Sequence, residues 1–287
     1  MKGIILAGGK GTRLHPLTLS VSKQLMPVYD KPMIYYPVAT LIEAGIHEIL
    51  IISTPEDIPF FERLLGDGSQ WGCRFSYAIQ EEPKGLADAF LIGEKFIDDS
   101  PVALILGDNL FHGTNVFNQI ARNYELTGGH IFAYHVKDPQ RYGVVEFDEQ
   151  FNVIGLVEKP TNPTSNFAIP GIYFYDETVV EKAKRLTPSL RGELEITDIN
   201  KAYLSEQTLK VTPLEIGSAW LDTGTIESLM EAGQYVQALQ SRQGILVGSP
   251  EVAAFNSGAI SKREFQQLAN KLSNSTYGEA IKSFGKR

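Results

Sequence analysis

The most restrictive feature of this 287-residue chain is a series of apolar, β-branched runs separated by helical patterns. Gly3–Leu6, Ile49–Ser53, Val102–Leu106 and Ile131–Val136 read as strands buried on both faces. Between them, Pro32 to Ala44 reads as a helix stopped by Gly45 and kinked or delayed by Pro37, and Leu86 to Ile97 carries an apolar stripe. Strands alternating with helices imply crossover connections and a mostly parallel α/β sheet. Ligands of such a sheet gather at the carboxyl ends of its strands.

From Tyr142 the texture changes. Val144–Phe147 and Val153–Glu158, separated by polar turn residues, predict a hairpin inserted near the ligand face. Gly171–Tyr175 reads as another strand, Glu177–Arg185 and Glu193–Leu204 as helices, and Thr225 as the cap of a further helix. Beyond Arg242 the patterns are short and helical, Lys262–Leu272 among them. No repeat, low-complexity tract or long linker divides the chain. The expected organisation is one body over residues 1–242, carrying an inserted region at about 142–192, and a helical extension over 243–287.

Charge narrows the partners. With 26 Lys and Arg against 34 Asp and Glu, the net charge is −8, which argues against binding to nucleic acid or an anionic membrane by bulk attraction. Any polyanionic ligand must be met locally. The one cysteine, Cys73, can form neither an internal disulfide nor a thiolate zinc site, so it reads as core filler in a reducing, cytoplasmic setting. Ile4–Ala7 is too short for a signal-peptide core and no stretch reaches membrane-spanning length, so a soluble protein is expected.

One set of local cations follows the first strand. The segment L-A-G-G-K-G-T-R-L leaves the first strand through Gly8, Gly9 and Gly11, whose unobstructed amides can line a polyphosphate. Arg13 adds a planar fork, and Lys10 or Lys23 a point charge. It is no Walker loop, because Lys10 comes too soon, and no dinucleotide fingerprint, because Leu14 stands where the third glycine belongs. A tight glycine turn with surface cations is the other reading of these residues.

Two acids stand out. Asp108 follows the run Val102–Leu106 through Gly107, at a strand's carboxyl end, and Asp222 in W-L-D-T-G also ends a strand before a glycine turn. Brought together they suit Mg²⁺, which keeps waters and takes phosphate oxygens; singly, each is an ordinary turn residue. The five histidines show no ligand spacing, and no G-x-S-x-G occurs.

G-G-K-G-T-R-L-H-P-L-T followed by S-K-Q-L-M-P-V closely resembles the signature of sugar-1-phosphate nucleotidylyltransferases. Y-D-K-P-M-I-Y-Y-P, L-L-G-D-G, L-G-D-N, R-Y-G-V-V-E-F-D, E-K-P, R-G-E-L-E-I-T-D and A-W-L-D-T-G-T resemble that family's glucose-1-phosphate thymidylyltransferase branch, from Met1 to about Leu239. The resemblance implies a Rossmann-like three-layer fold with a mixed, mostly parallel sheet. It implies transfer of a thymidylyl group from dTTP to glucose 1-phosphate with Mg²⁺, in a homotetramer whose contacts involve the helical extension.

By the same resemblance, the nucleotide is held by Gly8, Gly9, Gly11, Thr12, Arg13, Lys23, Gln24, Gln80, Gly85, Leu86 and Asp108. The sugar phosphate is held by Asn109, Tyr142, Gly143, Glu158, Lys159, Ile169 and Arg191, and the metal by Asp108 and Asp222. Arg13, Lys23, Asp108, Lys159 and Asp222 form the implied catalytic set. The chain departs from the branch at Glu81–Lys84, near the base-reading glutamine, at Ile169-Pro170, and at Ala253–Asn256, where a more basic segment of a regulatory nucleotide site is expected. Transfer from UTP, a glycosyltransferase and a non-catalytic sensor are the competing readings. The absent D-x-D at Asp108 counts against the second and the intact residue set against the third.

Overall fold

The computed structural model describes residues 1–9, 11–122 and 126–285. Along the chain, β1 (Lys2–Leu6) leads through the glycine loop to a small ribbon of β2 (Pro27–Val28) and β3 (Lys31–Pro32), then α1 (Tyr35–Glu43). β4 (Glu48–Ser53), α2 (Ile58–Leu65), β5 (Arg74–Ile79), α3 (Asp88–Ile92) and α4 (Glu94–Ile97) complete the first half. β6 (Val102–Leu106), β7 (Asn109–His112), α5 (Val116–Ala121) and β8 (Gly129–His135) precede the insertion, which contains β9 (Gly143–Phe147), β10 (Val153–Glu158) and β11 (Phe167–Ala168). β12 (Ile172–Tyr175), α6 (Val179–Lys184), α7 (Ile196–Ser205), β13 (Leu209–Pro213) and β14 (Ala219–Asp222) follow. The chain continues through α8 (Ile226–Gln243), α9 (Pro250–Asn256), α10 (Lys262–Lys271) and α11 (Thr276–Phe284).

The main sheet runs β10-β9-β11-β8-β12-β6-β1-β4-β5, with β13 also paired to β8. Its core of β5, β4, β1 and β6 is parallel, as the apolar runs require. β12 lies antiparallel between β6 and β8, and β9 with β10 forms the expected hairpin, so the sheet is mixed. Both faces are buried: Ile5 points into a core with α1, α2, α5 and the C-terminal helices, while its neighbours Ile4 and Leu6 face α3, α4, α6 and α7. Helices on both sides of one sheet give the three layers.

Several boundaries differ from expectation for local reasons. Pro37 falls in the first turn of α1, where an amide has no partner inside the helix to lose, so no kink results. The stripe from Leu86 to Ile97 is two helices, because Gly93 interrupts it where a side chain would crowd the Ala89 carbonyl and Ile4. Thr225 caps α8 as expected, in a reciprocal box with Ser228. In the helical extension, Val252, Ala253, Phe265 and Ile281 share the core of Val38 and Leu41. Cys73 fills the same core, 8% exposed.

Candidate functional site

The glycine loop starts where β1 ends, at the carboxyl edge of the parallel strands. Ser53 Oγ donates to the Ala7 carbonyl at 2.7 Å and pins the loop's first residue. Gly9 and Gly11 then take φ of 103° and 57°, conformations open to glycine, and a single tight turn carries Thr12 to Leu14. Leu14 is wholly buried, which anchors the turn and leaves Arg13 exposed beside it. Thr18 Oγ1 donates to the Gly11 carbonyl at 2.8 Å. Lys10 lies outside the described residues.

β7 and β14 form an antiparallel pair that sets Asp222 opposite Asn109, next to Asp108. Thr223 ties the two ends, its Oγ1 donating to the Asp108 carbonyl at 2.8 Å. Asp108 accepts hydrogen bonds from Lys23 Nζ on one oxygen and from Asn109 Nδ2 at 2.8 Å on the other. Burial works against the Asp108 carboxylate, but the Lys23 charge and these hydrogen bonds outweigh it and hold its pKa below the ordinary value. Asp222 is shifted the other way, because burial and the charge of Asp108 push its pKa up against the opposing pull of Lys23, Arg141 and Arg13.

Two partly buried, mutually repelling carboxylates are a donor set suited to a hard divalent cation, which would offset both the burial and the Asp108 charge that raise Asp222. Among the described residues no group of three or more His, Cys, Asp or Glu assembles.

Two depressions flank the Lys23–Asp108 ion pair, Lys23 lining one and Asp108 with Asp222 lining the other. The larger, about 520 Å³, is lined by Gly9, Thr18, Ser22, Lys23, Gln80 and Pro83 among others. Gln80 is 6% exposed; its backbone amide donates to the Ser53 carbonyl at 2.8 Å, which extends the β4–β5 edge to the pocket. Gln24 turns inward instead, accepting from Ser22 Oγ at 3.0 Å and reaching the Gly8 carbonyl at 3.4 Å. Gly85 (φ 106°) lies against the Leu194 backbone, where any side chain would collide. That contact joins the base-side loop to the segment before α7.

The second depression, about 270 Å³, brings together Arg13, Leu86, Asp108, Asn109, Tyr142, Gly143, Glu158, Lys159, Ile169 and Asp222. Asn109 is held from three sides: its Oδ1 accepts from Gly171 N at 3.1 Å and Trp220 Nε1 at 2.5 Å, and its Nδ2 donates to Asp108. Glu158 accepts from Thr197 Oγ1 at 2.5 Å. Lys159 takes φ of 43°, a strained conformation for lysine, with its amide on the Tyr142 carbonyl at 3.0 Å. Arg191 stands apart, gripping Glu195 with two contacts of 2.8 Å and reaching Glu158 at 3.4 Å.

Sequence reasoning missed four participants. Arg141 lies 2.9 Å from Asp138 and 3.3 Å from Asp222; its place before Tyr142 in R-Y-G was the available signal. Trp220, Thr197 and Glu195 line the second depression too, each inside a motif singled out for a neighbour.

A nucleotidyl transferase family model matches residues 2–238. The chain belongs to the nucleotidyl transferase family. This nucleotidyl transferase is 54% identical over 281 residues to a glucose-1-phosphate thymidylyltransferase of an Actinoplanes species, covering 98% of this chain and 93% of that protein. It is also 54% identical to the glucose-1-phosphate thymidylyltransferase of Mycolicibacterium smegmatis, covering 98% of each chain. A Bacillus anthracis structure assigned to the same enzyme class, solved with sucrose, superposes with a TM-score of 0.76 at 38% identity over 82% of this chain and 94% of that one. A UDP-glucose pyrophosphorylase holding UDP-glucose superposes at 0.69 with 27% identity, over 83% of this chain and 98% of that one. The expected three-layer α/β fold and the enzyme class both hold.

Proposed function

We propose that this nucleotidyl transferase moves a thymidylyl group from dTTP to α-D-glucose 1-phosphate and releases pyrophosphate. The observation that carries the reading is the Lys23–Asp108 ion pair, which links a depression behind the glycine loop, lined by Lys23, to one under the inserted hairpin, lined by Asp108 and Asp222. The glycine loop suits a triphosphate, and the hairpin side suits a sugar phosphate.

The sugar's phosphate is already ionised at neutral pH, so the reaction needs no protein nucleophile. Its oxygen forms a bond to the α-phosphorus as the bond to the β-phosphate oxygen breaks, and pyrophosphate leaves. Arg13 and Lys23 offset charge on the triphosphate and on the departing group. Lys159 aligns the attacking phosphate, while Glu158, Asn109 and the open backbone of Gly143 receive the hexose hydroxyls. Mg²⁺, when held by Asp108 and Asp222, supplies a positive charge on phosphate oxygens. Gln80 offers the donor and acceptor that match O4 and N3–H of thymine.

Uracil presents the same edge, and the likeness to a UDP-glucose pyrophosphorylase favours UTP as the second reading. A homotetramer joined through residues 243–287 is proposed from family resemblance. A cytoplasmic setting rests on the single buried cysteine; no described helix is long and apolar enough to cross a membrane. The test is pyrophosphate release with Mg²⁺ and glucose 1-phosphate, with dTTP, UTP, dATP and GTP in parallel. The highest kcat/KM is expected for dTTP; a lead for UTP moves the assignment to that base, and no release from any triphosphate with this sugar phosphate overturns it.

A further inference from the structure

We infer that Asp88 is a positioning residue that locks the orientation of the Gln80 amide, and thereby decides which pyrimidine edge the base pocket accepts. The inference rests on the reading of Gln80 as the base-contacting residue. Asp88 opens α3, at the far side of the loop that leaves Gln80, and is 9% exposed. Its Oδ2 accepts a hydrogen bond from Gln80 Nε2 at 2.9 Å. Both partners are buried, so water offers little competition for this bond.

A carboxylate has acceptors and no donor, so only the nitrogen end of the amide can face it. The carbonyl end is therefore turned to the glycine loop, where Gln80 Oε1 would lie 3.0 Å from a Cβ placed on Gly8. One amide hydrogen is held by Asp88, which leaves Oε1 as the acceptor and the second hydrogen as the donor for a ligand. That order complements a base with an N3–H donor beside an O4 acceptor, the edge of thymine and of uracil. Cytosine has the reverse order, with N3 as an acceptor beside a donating amino group. To meet it the Gln80 amide must turn over, which would press Oε1 against the Asp88 carboxylate in a buried site. Two acceptors at that distance repel, and neither keeps a partner. Asp88 thus excludes cytosine without touching the base.

The test is the ratio of kcat/KM for dTTP to that for dCTP in three variants. Asp88→Asn keeps the shape but can present an N–H of its own, so the Gln80 amide can turn over. The ratio is expected to fall about tenfold or more, through a lower KM for dCTP. Asp88→Ser, whose hydroxyl donates or accepts, gives the same readout from a smaller side chain if the first variant melts prematurely. An unchanged ratio in the folded variants, or an equal loss with both nucleotides, overturns the inference and marks Asp88 as structural. Gln80→Ala separates the two levels. If it leaves the ratio intact, the base-reading role of Gln80 fails; if it collapses the ratio while both Asp88 variants preserve it, only the role of Asp88 fails.

Discussion

The Arg141 guanidinium stands 3.3 Å from the Asp222 carboxylate, as Lys23 stands on Asp108, so each of the paired acids carries its own cation. Asp222 is the one that needs it, since burial and the Asp108 charge already push its pKa up. Removing Arg141 withdraws one of three opposing cations and raises that pKa further. Activity needs the ionised acid, so the acid limb of kcat/KM against pH is expected to move to higher pH in Arg141→Ala. An acid limb at its original position would show that Arg141 does not act through Asp222.

Arg13 reaches the depression that holds both acids while its turn is anchored by buried Leu14. Arg13→Ala is therefore expected to fold normally and to lower kcat/KM by roughly 2–4 kcal/mol of transition-state stabilisation. Steady-state kinetics at fixed Mg²⁺ measure this. A rate near that of the parent removes Arg13 from the mechanism.

Asp108→Asn takes away one of the two proposed metal ligands and leaves its backbone contacts to Thr223 in place. Turnover is expected to require much higher Mg²⁺. A titration of rate against Mg²⁺ with an unchanged midpoint contradicts the ligand role.

His130 lies in β8 with its Nε2 beside Thr212 Oγ1 at 2.8 Å, and burial followed by the nearby Lys210 charge lowers its pKa to about 4. The folded protein thus binds fewer protons than the unfolded chain between that value and the ordinary value near 6.5. The stabilisation is present above pH 6.5 and is lost as pH falls through this window, by about 3 kcal/mol. Melting temperatures from pH 7 to pH 4 are expected to fall more steeply in the parent than in His130→Gln. Parallel curves would contradict the assignment.

The parallel core was readable because Ile4, Ile5 and Leu6, and their counterparts in β4 and β6, are apolar on both faces of a covered sheet. β5 was not, because as the sheet's edge it alternates polar and apolar residues in RFSYAI and exposes Arg74 and Ile79. Asp108 and Asp222 could each be placed at a strand end from local pattern. Their meeting depends on the β7–β14 ladder across more than a hundred residues, which no local signal encodes. Arg141 and Asp88 were hidden for the same reason: their roles lie in the partner each finds, Asp222 and Gln80, and neither has a distinctive spacing.

The central claim is that the two phosphates react directly, with no bond to the protein. The stereochemical course at the α-phosphorus tests it most directly. With one diastereomer of the α-thio analogue of dTTP and glucose 1-phosphate, the account predicts a product of inverted configuration. Retention would require two displacements through a protein nucleophile and would contradict it.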